Sequence, residues 1–325
     1  MAFVNRLLGL TNFNNPLLRT LVPSVSAAFA IQTAFAIPSI AAQSDRFYDF
    51  SGALSFVAVT ALSLYLPALR ARYAAPLSSS SKAVALPSLL GPFKGAGEPH
   101  GFDWRQVVLS GAVVIWATRL GSYLFQRVLQ EGKDSRFDEI KKTPSKFCVA
   151  FVAQATWVSL SLMPVMAVNS VPAAALAGGA RLRLTDLLGL SLYLGGIAFE
   201  VVADRQKSRW TREKRAKLHD EQFLTKGLWS KSRHPNYFGE STLWLGLATA
   251  SAGVLLARPV QAALGGLSPA VALSLCYVSP AFVTFLLLKV SGVPLSENKY
   301  DRLYGGRKDY QDWKRNTPKF FPNLF

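Results

Sequence analysis

The chain has 325 residues, half of them apolar and 17% charged, with 36 Lys and Arg against 19 Asp and Glu, a net charge of +17. Soluble domains carry about 25% charged residues, and disorder requires low hydrophobicity, so neither class fits. Cys148 and Cys276 both sit in apolar runs, which leaves no disulfide scaffold and no zinc cluster.

A membrane span needs about 20 mostly apolar residues, and seven segments qualify in chain order. The first, residues 21–42, is bracketed by Pro23 and Pro38 and interrupted by Gln32. No acidic residue occurs in residues 1–44, a feature of targeting segments, but a second span, 50–69, follows almost at once. Residues 70–103, with Ser78 to Ser81 and several Pro and Gly, are expected to form a flexible linker. The third span, 104–128, contains Arg119; the fourth to seventh are 147–168, 184–203, 237–257 and 270–290. The expected fold is therefore all-α, a polytopic integral membrane protein of about seven helices. Its organisation is an N-terminal segment (1–45), an N-terminal membrane half (46–146) and a C-terminal membrane half (147–325) with cofactor loops and a tail.

Seven spans distribute the basic residues unequally. One side receives 25 of the 36 Lys and Arg and the other ten, with Arg119 inside the third span. The richer side is expected to be cytosolic, which puts the C-terminus in the cytosol. Splitting the charge among membrane connections argues against nucleic-acid binding; the lipid bilayer is the expected partner.

The densest polar stretch runs from Asp204 to Glu240. It opens with Asp204, Arg205, Gln206 and Lys207, continues through Arg212, and closes on Trp229, Arg233, His234, Asn236, Tyr237 and Glu240 at the start of the sixth span. A solvated basic loop accounts for the charge but not for His, Asn, Tyr and Glu at the mouth of a hydrophobic span, where ionisable groups usually line a cavity. Asn236 and Glu240 are four apart, on one helical face. Pro235 suits a helix first turn, so Arg233 and His234 flank a helix N-terminus, a natural phosphate site. The tail after the seventh span adds Tyr300, Tyr304, Tyr310 and Trp313 among cations, either an interfacial aromatic belt or a lid over an adenine or ribose.

Gly227-Leu228-Trp229 and Ser232-Arg233-His234-Pro235-Asn236-Tyr237 with Gly239-Glu240 resemble the signature of the steroid 5-alpha-reductase superfamily. Arg119-Leu120-Gly121 with Tyr123-Leu124-Phe125, Ala203-Asp204 with Gln206-Lys207, and Ser291-Gly292-Val293-Pro294 match its uncharacterised steroid-reductase-like branch, a domain of unknown function. The resemblance covers roughly residues 50–325. It implies an integral membrane reductase that holds NADPH in its C-terminal half and reduces a carbon–carbon double bond of a lipid-soluble steroid, sterol or enoyl substrate. On that resemblance the cofactor contacts are Asp204, Lys207, Arg212, Asn236, Glu240, Tyr300 and Tyr304, joined by Trp229, Arg233, His234 and Tyr237 of the proline block. No metal is implied, and in a eukaryote the endoplasmic reticulum is the expected membrane.

Reducing an activated double bond needs an acid near the carbonyl. Tyr123 is the candidate; it lies four residues after Arg119, on the same helical face, and an Arg within a span is itself a functional signal. Arg-His-Pro followed by Asn-Tyr-x-Gly is also similar, more distantly, to isoprenylcysteine carboxyl and phospholipid methyltransferases, which bind S-adenosylmethionine at such a helix start. Those enzymes usually carry paired glutamates after the last span, where this chain has only Glu297. A transporter is the non-enzyme alternative, but inverted repeats and paired broken helices are not evident.

Overall fold

A computed structural model of the chain describes residues 6, 8–74, 86–94, 101–131, 137–177 and 182–323. Among them the regular structure is helical: α1 (Pro16–Ala41), α2 (Tyr48–Ala74), α3 (Trp104–Glu131), α4 (Pro144–Asn169), α5 (Leu184–Arg215), α6 (Pro235–Leu255), α7 (Pro269–Phe285), α8 (Val293–Tyr304) and α9 (Lys308–Asn316), with a π turn at Leu286–Val290. Six helices are long and apolar enough to cross a membrane, within Pro16–Ala41, Tyr48–Tyr73, Trp104–Leu124, Pro144–Asn169, Leu184–Arg215 and Pro269–Tyr304. The expected sixth span corresponds to α6, whose 21 residues reach about 31 Å. That is long enough to cross, but Glu240, Ser241, Thr242, Thr249 and Ser251 dilute its apolarity. The protein is thus a polytopic helical membrane protein with six to seven spans. Of the expected linker, residues 70–74 continue α2, 86–94 contain a single helical turn at Gly91–Phe93, and the serine stretch lies outside the described residues.

The chain divides into two compact units. The first comprises Met1–Arg183 and Ser251–Val278. Its framework is α1 to α4, with α1 against α2 and α4, and α2 against α3 and α4. Asn15 caps α1, its side chain accepting from Leu17 N at 2.8 Å, and Pro16 fills the first turn. The helix then runs through both Pro23 and Pro38. Interior prolines are tolerated in membrane helices because neighbouring groups re-satisfy the freed carbonyls. Gln32 does not break the span either. It is buried and donates to Ser55 Oγ at 2.8 Å and Ser51 O at 3.1 Å, while Ser51 Oγ donates to Gln154 Oε1 at 3.2 Å. A second buried relay joins Asn169 to Ser63 Oγ at 2.9 Å and Ser110 Oγ at 3.1 Å. In the same bundle the rings of Phe56, Trp116 and Trp157 pack edge to face on one another.

The second unit comprises Leu184–Ala250 and Ser279–Phe325. Here α5 has 32 residues, about 48 Å, well beyond the roughly 30 Å of a bilayer core. The basic segment after Ala203, expected as a loop, is therefore helix as far as Arg215. Nothing in it breaks a helix, and Arg209 and Glu213 pair at 2.7 Å across one turn. Against α5 lies α6, at glycine contacts: a Cβ on Gly239 would meet Gly196 O and Glu200 N at 2.7 Å, and one on Gly246 would meet Gly189 O at 2.5 Å.

Candidate functional site

The site lies in the second unit, where the outer half of α5, the turn Gly227–Ser230, the start of α6, and α8 and α9 converge. Gln206 Oε1 accepts from Leu228 N at 2.9 Å, and Trp229 Nε1 donates to Ala203 O at 3.1 Å. These bonds fix the 227–230 turn on α5 and bring Lys207 Nζ to 5.1 Å from the Trp229 ring centroid, a cation–π distance. Gly227 holds φ +61°, and a Cβ there would meet the Gln206 amide at 2.6 Å, so this turn favours glycine.

Before α6, the chain is held by its own C-terminal tail. Arg233 N donates to Pro318 O at 2.8 Å, Ser232 Oγ to Phe320 O at 2.9 Å, and Asn323 N to Lys231 O at 2.9 Å. Phe320 and Phe321 close on Phe238. This aims Arg233 and His234 at α8. Arg233 Nη1 lies 2.8 Å from Glu297 Oε1 and His234 Nε2 3.3 Å from the same oxygen. The His234 ring stacks on Tyr237 with 7° between planes. Burial pushes the His234 pKa below its ordinary value, against the opposing pull of Glu297, which favours the neutral ring. Burial alone would raise the Glu297 carboxyl, but the bond to His234 and the charge of Arg233 hold it below the usual range.

An aromatic wall completes the site. Phe223 packs on Tyr304, Tyr310 and Trp313 with centroids 5.2 to 5.7 Å away, and Tyr300 stacks on Tyr304. Tyr310 OH donates to Asp301 Oδ1 at 2.8 Å, and Lys314 Nζ donates to both Asp301 oxygens, at 2.6 and 2.7 Å. Lys314 holds the Asp301 carboxyl low, while burial and Asp301 push the Tyr310 phenol up.

The enclosed space has about 40 Å³, room for about three waters. Two buried donors on its lining residues, Arg233 Nε and Trp313 Nε1, have no hydrogen-bond partner among the described residues, and neither has the buried acceptor Asn236 Oδ1 nearby. Buried unsatisfied groups each cost about 1–3 kcal/mol, so the lining suits a polar ligand. Its chemistry fits the rings and phosphates of a nucleotide. This space alone is too small for a whole dinucleotide.

Of the residues expected at this site, Lys207, Trp229, Arg233, His234 and Tyr300 line the cavity. Tyr237 backs His234, and Tyr304 lies behind the aromatic wall. Asp204, Asn236 and Glu240 are half-buried but do not line it. Arg212 is not brought in: it is exposed, because five residues along a helix turn it away from the Lys207 face. Trp210 and Thr211, three and four residues after Lys207, take that face instead. Sequence reasoning missed them and Phe223; treating 204–212 as helix would have found the first two. Tyr123 and Arg119 lie on α3 of the first unit and line neither this cavity nor the larger one in that unit.

The model of one protein family, described as Protein of unknown function (DUF1295), matches residues 96–317, more than half of the chain. No curated protein and no solved structure matches it. The matched range takes in α3 with Arg119 and Tyr123, the whole aromatic cavity and Glu297, and stops where the tail begins its return over Arg233. From its third helix to the end of α9, this chain belongs to the DUF1295 family.

Proposed function

We propose that the protein is a membrane-embedded, NADPH-dependent reductase of a carbon–carbon double bond in a lipid-like substrate. The observation that carries this reading is the cavity of aromatic rings, Lys207 and Arg233, with two buried donors awaiting an acceptor. NADPH, when bound, supplies the hydride. Lys207 and Arg233 would hold its phosphates, and Tyr300, Tyr310 and Trp313 would receive a ring. His234, kept neutral by burial, leaves the cavity with two cations against the single carboxylate of Glu297. That balance favours a phosphate-bearing ligand over the sulfonium of S-adenosylmethionine, the cofactor of the methyltransferase alternative. Tyr123, four residues from Arg119, is the proposed acid for the substrate carbonyl.

Titrating the purified protein with NADPH and with S-adenosylmethionine tests the reading. NADPH should bind, and Lys207→Ala or Trp313→Phe should each weaken it about 10-fold or more, the cost of one hydrogen bond to a charged group. Turnover of an enone steroid, sterol or polyprenoid should fall about 10²–10⁴-fold in Tyr123→Phe with NADPH affinity unchanged. Binding of S-adenosylmethionine alone would overturn the reductase reading in favour of a methyltransferase.

A further inference from the structure

The larger cavity, of about 940 Å³, belongs to the first unit and lies at the end of the bundle where α1 and α3 begin and α2 and α4 finish. Small-molecule sites span about 300–1,000 Å³, so it is large enough for a lipid. Much of its lining is apolar, with Leu64, Ala68, Phe102 and Val171 among the walls. Its polar lining includes Arg19, Arg70, Gln106 and Asn169, and no Asp or Glu lines it among the described residues.

The two arginines are held by neutral oxygens. Arg70 Nη1 donates to Leu8 O at 2.7 Å, and Nη2 donates to Thr11 O at 2.9 Å, Thr11 Oγ1 at 2.7 Å and Arg19 O at 3.1 Å. Arg70 Nε is buried without a hydrogen-bond partner among the described residues. Arg19 Nε donates to the Phe13 carbonyl. The described residues thus give this cavity two cations and no carboxylate among its walls. Near the ends of membrane helices long basic side chains reach out to the interface, the depth at which an anionic lipid head sits, and an arginine pair lining a largely apolar space matches one kind of molecule.

We propose that this cavity binds an amphiphile with an anionic head, a carboxylate or a phosphate, on an apolar chain. Arg19 and Arg70 hold the head, and Leu64, Ala68 and Phe102 take the chain. The site is separate from the reductase reading. Gln106 lines it near the start of α3, and Tyr123 lies about 25 Å further along the same helix, so either proposal survives the failure of the other.

Photolabelling of the full chain in neutral detergent with a diazirine analogue of oleate tests it. Label should map to residues 8–20, 64–73, 101–106 or 169–174, and unlabelled oleate or oleyl phosphate should displace it at least 10-fold better than oleyl alcohol; whichever acid competes more strongly identifies the head. Arg19→Gln should weaken the competition about 10-fold or more, whereas Arg46→Gln, in the connection beyond the far end of α1, should not change it. Because Arg19 also anchors the start of α1, Ala71→Trp gives an independent check by filling the cavity, and it should abolish labelling. Label outside these segments, equal competition by oleyl alcohol, or undiminished binding in both Arg19→Gln and Ala71→Trp would overturn the proposal.

Discussion

Glu297 is the residue on which the candidate site turns, since one of its oxygens meets both Arg233 and His234. The pair makes stability depend on pH. The folded His234 has a pKa below its ordinary 6.5, so the unfolded chain takes up that proton first, and stability drops as pH falls from above 6.5 towards the folded value. Glu297, also held low, contributes stability that is present above its unfolded pKa and is lost as pH falls through its folded one. The thermal midpoint should therefore fall on acidification from pH 7. Imidazole NMR should place the His234 titration below 6.5, and Glu297→Gln should move it lower still, because the carboxylate is what raises it. A His234 pKa that rises or stays fixed in that variant would mean the contact does not form in solution.

At the scale of elements, the α5–α6 contact depends on glycine. A Cβ on Gly196 would meet Leu243 N at 2.5 Å, while one on the neighbouring Gly195 meets nothing within 4 Å. Two adjacent substitutions should then act in opposite senses. Gly195→Ala should hold or raise the thermal midpoint, since alanine is about 0.5–1 kcal/mol the better helix residue. Gly196→Ala should lower it by several degrees, overpacking typically costing about 1–3 kcal/mol. Differential scanning fluorimetry in detergent separates the two, and equal midpoints would contradict the close helix approach. The same helix shows why Arg212 and Lys207 part company: once α5 continues to Arg215, the 3.6-residue period and not nearness in sequence decides which side chains share a face.

For the whole molecule, the asymmetry of 25 basic residues against ten predicts an orientation with the C-terminus, α8 and α9 in the cytosol. A glycosylation acceptor fused after Phe325 should stay unmodified in a eukaryotic host, and one placed before Pro16 should be modified; the reverse pattern would invert the topology and put the aromatic cavity on the far side. The orientation rests on α6 crossing the membrane, for without it the tail and the connection between α6 and α7, which carries Arg258, would exchange sides.

Helical class and membrane residence were legible in the sequence, because about 20 apolar residues in a row have few other stable solutions. So were the proline block and its cations, which are contiguous in the chain. Only the tertiary structure joined Glu297 to Arg233 and His234, packed Phe223 against Tyr310 and Trp313, and drew Pro318–Asn323 back over the start of α6. These partners are distant in sequence, and no local period links them. The arginine-bearing cavity of the first unit was equally hidden. Arg19 and Arg70 counted only as basic residues of a tail and a connection, and it took the antiparallel return of α2 beside α1 to place both at one end of the bundle. Sequence determines which stretches enter the membrane because hydrophobic burial is a property of composition along the chain. Which polar groups meet there is decided by packing between helices, where each buried donor must find its acceptor.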